Sequence, residues 1–349
     1  MKSTGKLTIN DIAEAAGVSK TTVSRYINGH VEMMSETTRE RIKNIIKMSN
    51  YQPSDIARNL KRQNSNMIGV IISDIASPFS SAVIIGISDC LESHGYTPLF
   101  VNCEDKLERE ESYIDSLIAK GVSGLIINTT SSDNNHLIST ACKGMPVVLC
   151  DRYINNYNFD IVTSQDAQGM YDLVLHLKSQ GYTRPVMFTQ KWKKNSTRYI
   201  RRQGFIDAVK QIYGYSPEKD VYLVNNKDKG SVYDELLKLQ ADLKPNDIPA
   251  IIGVNSVTTI RVLIAIKKLG LLVPNNIGLC GPEDWDWEDE MNWPTLVSPH
   301  ITTIVINPTE IGSKCAKLLI EKIKNPDMPA KKILLPCKIS VRQSTLRIE

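Results

Sequence analysis

Between Ser19 and Arg25 the chain carries Lys20, Thr21, Thr22, Ser24 and Arg25 around a single valine. At helical spacing Val23 and Ile27 turn to one side and Lys20, Thr21, Ser24 and Arg25 to the other. Short hydroxyl side chains near a helix start suit phosphate oxygens, and a long guanidinium can fork onto the edge of a guanine. The chemistry open to this face is non-covalent contact with a DNA major groove.

Such a helix must be held by neighbours. Thr8-Ile9-Asn10-Asp11 reads as a capped start, with Asp11 at the positive end of the helix dipole and Ile12, Ala13 and Ala16 on one face. Gly17 then supplies a left-handed residue for the turn, and Val18 plugs the corner. Ser19 caps the second helix and Ser35 a third, in which Ile42, Ile45 and Ile46 close a small core. Pro53 ends that helix, and Ser54 can cap a short one over residues 55–62 that is too short to be stable alone. Ala57 and Leu60 lie three apart, so two copies could pack together and push Leu60 into a minor groove, with Arg58, Lys61 and Arg62 near phosphates. A plain linker helix is the alternative.

The run from Thr8 to Ser19, followed by Thr22-Val23-Ser24-Arg25 and Asn28-Gly29, closely resembles the headpiece of the LacI/GalR (lactose-repressor/galactose-repressor) family. The resemblance implies DNA contacts from Thr8, Ser19, Lys20, Thr21, Thr22, Ser24, Arg25 and Asn28. It extends into the hinge, where the family's alanine and leucine fall on Ala57 and Leu60 beside Arg58 and Lys61. It also implies a homodimer on a pseudo-palindromic double-stranded operator, acting as a repressor.

With 349 residues, 42% of them hydrophobic, the chain can bury a large core in two or three domains. No apolar run is long enough to span a bilayer, and the polar start has no signal-peptide pattern behind it, so a cytoplasmic protein is expected. The seven scattered cysteines read as buried thiols, and no histidine joins them in zinc spacing. No metal or other cofactor is expected. The net charge of +4 hides an asymmetry. Residues 1–62 hold 11 Lys and Arg against 6 Asp and Glu, and the rest 31 against 32, so the basic excess sits where phosphates would use it.

From Met67 short apolar runs alternate with amphipathic stretches, the pattern of a parallel sheet covered by helices. Two such units follow each other, and the whole reads as α + α/β. Their pairing resembles the same family's periplasmic-binding-protein-like core. The expected domains are 1–52 (headpiece), 53–66 (hinge and linker) and 67–349 (core). Within the core, residues of about 67–162 and 297–324 form one subdomain, 163–296 and 325–349 the other, with crossings near Val162, Leu296 and Lys324. Lys332 to Ile339 reads as one strand.

Open α/β sheets bind ligands at the carboxyl ends of their strands. Asp74 and Asp151 each follow a strand and can accept from hydroxyls; Asp151 can instead make a local contact with Arg152. Phe79 serves either as a stacking face or as core. Arg201, three residues before Gly204, matches the family position that grips the effector, and its guanidinium can fork across two oxygens. Asn255 ends a strand and can donate and accept; the family often has aspartate next, where this chain has Ser256. After Gly281 the family's aromatic and aspartate are replaced by Pro282 and Glu283, which leaves Glu283 the acceptor role at longer reach. Trp285, with Trp287 and Trp293, belongs over the cleft or at the dimer face. This acidic loop argues against simple anion attraction, whereas Lys191, Lys193, Lys194 and Arg201 argue for it. Together with Lys20 to Tyr26 it looks like regulators of 2-keto-3-deoxygluconate or related sugar-acid use. A small sugar or sugar acid is the expected effector.

Two other readings remain open: a sugar-binding protein that acts without an operator, and a repressor needing a purine-type corepressor. An enzyme would need a Gly-x-Ser-x-Gly elbow, a phosphate-binding glycine loop or a clustered His/Asp/Glu set, none of which the sequence shows.

Overall fold

A computed structural model of the chain describes residues 9–27, 34–49, 65–284 and 292–347. Two compact units divide at Ser65. In the first, helices α1 (Ile9–Ala16), α2 (Lys20–Ile27) and α3 (Glu36–Ser49) close around buried Ile12, Ala13, Ala16, Val23 and Ile42. Ser19 Oγ accepts from the amide of Thr22 at 3.1 Å and Ser35 Oγ from that of Thr38 at 3.3 Å, which are the two expected caps. Gly17 takes φ 61°, and Arg41 reaches back to the carbonyl of Ala16, an orphan acceptor at the end of α1. The side chain of Ile27 and the segment over residues 55–62 lie outside the described residues.

The second unit holds two six-stranded sheets. The first has the order β11-β5-β4-β3-β1-β2, all parallel: β1 (Met67–Ile72), β2 (Thr97–Asn102), β3 (Gly124–Ile127), β4 (Val147–Cys150), β5 (Asp160–Ser164) and β11 (Lys332–Leu335). The second has the order β12-β10-β9-β8-β6-β7, with β6 (Arg184–Thr189), β7 (Val221–Leu223), β8 (Pro249–Gly253), β9 (Gly278–Asp284), β10 (Thr302–Val305) and an antiparallel edge β12 (Lys338–Ser340). Helices α4 (Pro78–Ser93) and α11 (Pro308–Lys324) cover one face of the first sheet, and α5 (Leu107–Ala119) and α6 (Asn135–Cys142) the other. Around the second sheet, α7 (Asp166–Ser179) and α8 (Ser196–Tyr213) face α9 (Ser231–Asp242) and α10 (Ser256–Lys268). Central strands such as β4 and β8 are buried along their whole length, which is why they read as unbroken apolar runs.

The subdomain boundaries differ from the sequence expectation. Strand β10 belongs to the second sheet and β11 to the first, so the chain crosses near residues 165, 306 and 336 rather than near Val162, Leu296 and Lys324. The stretch expected as a single strand over Lys332 to Ile339 is two strands in different sheets. The break falls at Pro336, which lacks the amide a continuing ladder needs. Helix α5 begins only at Leu107, because Glu104 and Asp105 adopt φ of 53° and 55°, outside the helical region. Helix α6 is capped by Asn134, whose side chain accepts from the amide of Leu137.

Helices α4 and α11 cross where Gly86 faces Thr309 and Gly312 faces Val83. A Cβ on either glycine would overlap the opposing backbone carbonyl. Gly312→Ala is therefore expected to force the helices apart and cost about 1–3 kcal/mol, read as a lower urea midpoint with an unchanged m-value; a midpoint equal to wild type would show that the helix pair gives way without strain.

Candidate functional site

The headpiece exposes three of the four side chains expected to face outward, Ser24 being half-buried. Lys20, Thr21 and Arg25 are exposed, while Thr22 and Ser24 are half-buried against the small core. Ser19 Oγ lies 2.8 Å from Thr22 Oγ1, so these two hydroxyls also organise the start of α2. Thr8, Asn28, Ala57, Arg58, Leu60 and Lys61 lie outside the described residues.

Within the body a cavity of about 590 Å³ lies between the two sheets at their carboxyl ends. Asp74, Phe79 and Asp151 line it from the first sheet, and Arg201, Asn255 and Glu283 from the second. Six of the seven expected effector residues are thus brought together; Trp285 is outside the described residues. Phe79 both lines the cavity and packs in the main core. Asp74 accepts from the amide of Ala76, which fixes its turn after β1.

Asp151 is held in an uncommon way. It sits at φ 65°, a left-handed conformation at the end of β4, and it is buried. Asn128 steadies the strand ends around it, donating to the carbonyl of Cys150 at 2.9 Å while accepting from Ser73 Oγ at 2.5 Å. The Asp151 Oδ2 atom accepts from Thr197 Oγ1 across the cleft at 3.0 Å, and Oδ1 has no hydrogen-bond partner. Burial, then the nearby charge of Asp166, pushes its carboxyl up to about 6, against the pull of Arg201 and Arg152. Arg152 donates instead to the carbonyl of Thr129 at 3.0 Å and, more loosely, to Asp105 at 3.4 Å.

Arg201 is buried and already engaged. Its Nε donates to Asp166 at 2.6 Å, and its Nη1 to Glu283 at 2.7 Å and to the carbonyl of Val254 at 2.9 Å. Burial alone would weaken its hold on the proton, but Asp166 and Glu283 more than offset that and keep it charged. The second oxygen of Glu283 accepts from the amide and hydroxyl of Ser256 at 3.1 and 2.8 Å. Ser256, where the family pattern has a carboxylate, is thus a buried donor to Glu283. Glu283 itself takes φ 76°, like Asp151 a strained residue at a strand end facing the cleft. Asn255 caps α10 through the amide of Thr258 at 2.9 Å.

Asp166, Thr197, Asn128 and Arg198 join the site beyond the seven expected residues. Asn195 in front of α8 is a cap signal that would have placed Thr197 and Arg198 in a first helical turn, since its side chain accepts from the amide of Arg198. Nothing local marks Asp166 as the partner of Arg201, 35 residues away. All seven cysteines are unpaired, five of them buried as expected and Cys142 exposed. Among the described residues no cluster of His, Cys, Asp and Glu could hold a metal ion, and no helix is long and apolar enough to cross a membrane.

The fold and the two sites define a DNA-contacting headpiece joined to a ligand-cleft body. The profile described as bacterial regulatory proteins, lacI family, matches residues 8–54, and that described as periplasmic binding proteins and sugar binding domain of LacI family matches residues 65–343. The chain belongs to the lacI family of bacterial regulatory proteins. It is 30% identical over 343 residues to the HTH-type transcriptional regulator KdgR of Bacillus subtilis, covering 98% of this chain and 99% of that one. It is 29% identical over 345 residues to the regulator PtxS of Pseudomonas aeruginosa, covering 99% and 97%. A lac repressor dimer bound to operator and the anti-inducer ONPF superposes with a TM-score of 0.80 at 23% identity, over 98% of this chain and all of that one, a likeness of fold.

Proposed function

We propose that this chain is a homodimeric repressor of a carbohydrate-use operon, binding a pseudo-palindromic operator with an affinity set by a small sugar or sugar acid in the body's cleft. The observation that carries this reading is the joining, in one family chain, of an exposed Lys20/Thr21/Arg25 face to a cleft lined by hydroxyl-seeking side chains at two sets of strand ends. Lys20, Thr21, Thr22, Ser24 and Arg25 would contact the major groove and its phosphates, with Ser19 seating the helix start and Thr8 and Asn28 flanking it. Ala57, Arg58, Leu60 and Lys61 would serve the minor groove between half-sites. In the cleft, Asp74, Asp151, Asn255 and the free edge of the Arg201 guanidinium would meet ligand hydroxyls, with Phe79 under the ring and Glu283 holding Arg201 in place.

The hydrogen bond from Thr197 to Asp151 spans the two subdomains. A ligand bound beside it changes how the subdomains close, and by reciprocity DNA changes the affinity for ligand. The protein would act in the cytoplasm and leave its ligand chemically unchanged.

Fluorescence anisotropy on operator duplexes selected from random DNA tests this reading. Arg25→Ala is expected to weaken the selected site by about 1–3 kcal/mol and to relax its sequence preference. Addition of a cleft ligand should shift the same titration. A wild-type protein that prefers no duplex over random DNA would leave a sugar-binding protein without an operator.

A further inference from the structure

Two arginines face the cleft from α8, and the protein treats them differently. Arg201 is neutralised by Asp166 and Glu283. Arg198, one turn earlier and lining the same cavity, forms no ion pair with any carboxylate of the described residues. Its side chain makes a single long hydrogen bond, from Nη1 to the carbonyl of Lys191 at 3.4 Å. It is half-buried, and the charge that acts on it most strongly is another cation, Arg152, which is itself held only loosely by Asp105. Burial, then Arg152, lowers the Arg198 guanidinium to about 10, an uncommon strain on a group that proteins almost always keep charged.

A half-buried cation beside a second cation, with open cavity in front of both, is a poor arrangement for stability and a good one for an anion. The cavity lining carries five cations, Arg152, Lys191, Arg198, Arg201 and Lys227, against four carboxylates, Asp74, Asp105, Asp151 and Glu283. Asp166, behind Arg201, completes the balance of that lining, so what is missing is a partner at Arg198 and not overall charge. A single carboxylate is such a partner and offers two oxygens to planar guanidinium donors. The rest of the lining, rich in Asn and Asp, suits hydroxyls.

We propose that Arg198, with Arg152 beside it, seats the carboxylate of the cleft ligand, so that the site selects a sugar acid over a neutral sugar of the same shape. The inference rests on the cleft being the effector site, and it moves the anion-binding role from Arg201, whose donors already serve two carboxylates, to Arg198.

Isothermal titration calorimetry of the full chain tests it, with hexonates, 2-keto-3-deoxyhexonates and hexuronates as acids, glucose and galactose as neutral sugars, and glucose 6-phosphate. In wild type an acid should bind at least about tenfold more tightly than any neutral sugar. Arg198→Leu should weaken that acid by about ten- to a hundredfold, since a charge-assisted pair is lost, and Arg198→Lys should keep part of the affinity. Ligand-free Arg198→Leu should melt no lower than wild type, because the repulsion with Arg152 is gone; this separates lost binding from lost folding. Neutral sugars binding as tightly as acids, or Arg198→Leu binding acids undiminished, would overturn the carboxylate seat while leaving the effector cleft in place. Binding of glucose 6-phosphate alone would overturn it in favour of a phosphate. Silence from every probe in a sample that binds its operator would overturn it and leave the regulator reading standing.

Discussion

Replacing Arg201 by methionine is expected to destabilise the body by about 3–5 kcal/mol, because it strands Asp166 and Glu283 in a buried site without their shared cation. Both carboxylates are nearly inaccessible, and each loses a hydrogen bond of 2.7 Å or less. For a body of this size the melting temperature should fall by on the order of 10 °C. Adding Asp166→Asn and Glu283→Gln to the methionine variant should restore much of the stability, a coupling that distant residues would not show. A variant as stable as wild type at pH 7 would mean that water or rearrangement neutralises the pair. One consequence concerns binding experiments: loss of ligand affinity in an Arg201 variant reports first on an unsupported cleft, and only then on contact with ligand.

Asp151→Asn is expected to act in the opposite direction. In the folded protein the carboxyl is pushed up to about 6, whereas in the unfolded chain it returns to the ordinary value of 3.8. Between those values the folded state holds the proton that the unfolded state has released, so folding stability falls as pH rises from about 4 to about 6 and stays lowered above it. The penalty at pH 7 is on the order of 3 kcal/mol. Asp151→Asn removes it, so the ligand-free variant should be more stable than wild type at pH 7 to 8 and level with it near pH 4. Melting temperatures measured across that range give the test, and a difference that does not grow with pH would show that Asp151 is not ionising in a buried state. The amide keeps one acceptor for Thr197 but loses the charge that the unpartnered oxygen would offer a ligand hydroxyl, so ligand affinity should drop as stability rises. That opposition is what a residue held in a strained, half-satisfied state for binding should show.

Local chemistry carries most of what could be read before folding. The caps at Ser19 and Ser35, the turn at Gly17 and the inward Val23 all involve residues within about one helical turn of each other, and they appear where the sequence places them. The same holds for the apolar runs of β1, β3, β4 and β8, whose burial on both faces is written into unbroken apolar stretches that contain Val, Ile or Leu. Residues within two positions of a strand end, such as Asp74, Asp151 and Asn255, could be assigned to the cleft because a parallel sheet exposes its carboxyl ends together.

The tertiary structure alone decided which sheet each late strand joins and which charges meet. Residues 302–305 and 332–335 are both short β-rich stretches, and nothing in their composition distinguishes an inner place in one sheet from an edge of the other; partners 21 to 171 residues away make that choice. The ion pairs of Arg201 span 35 and 82 residues, and the bond of Asp151 to Thr197 spans 46, distances over which periodicity carries no signal. Sequence could therefore name the arginine at the family position, while only packing could show that its charge is already balanced and that Arg198 beside it has no carboxylate partner among the described residues. Helical and strand patterns follow from neighbours along the chain, whereas the electrostatics of a cleft depend on which buried groups the fold brings within a few ångströms.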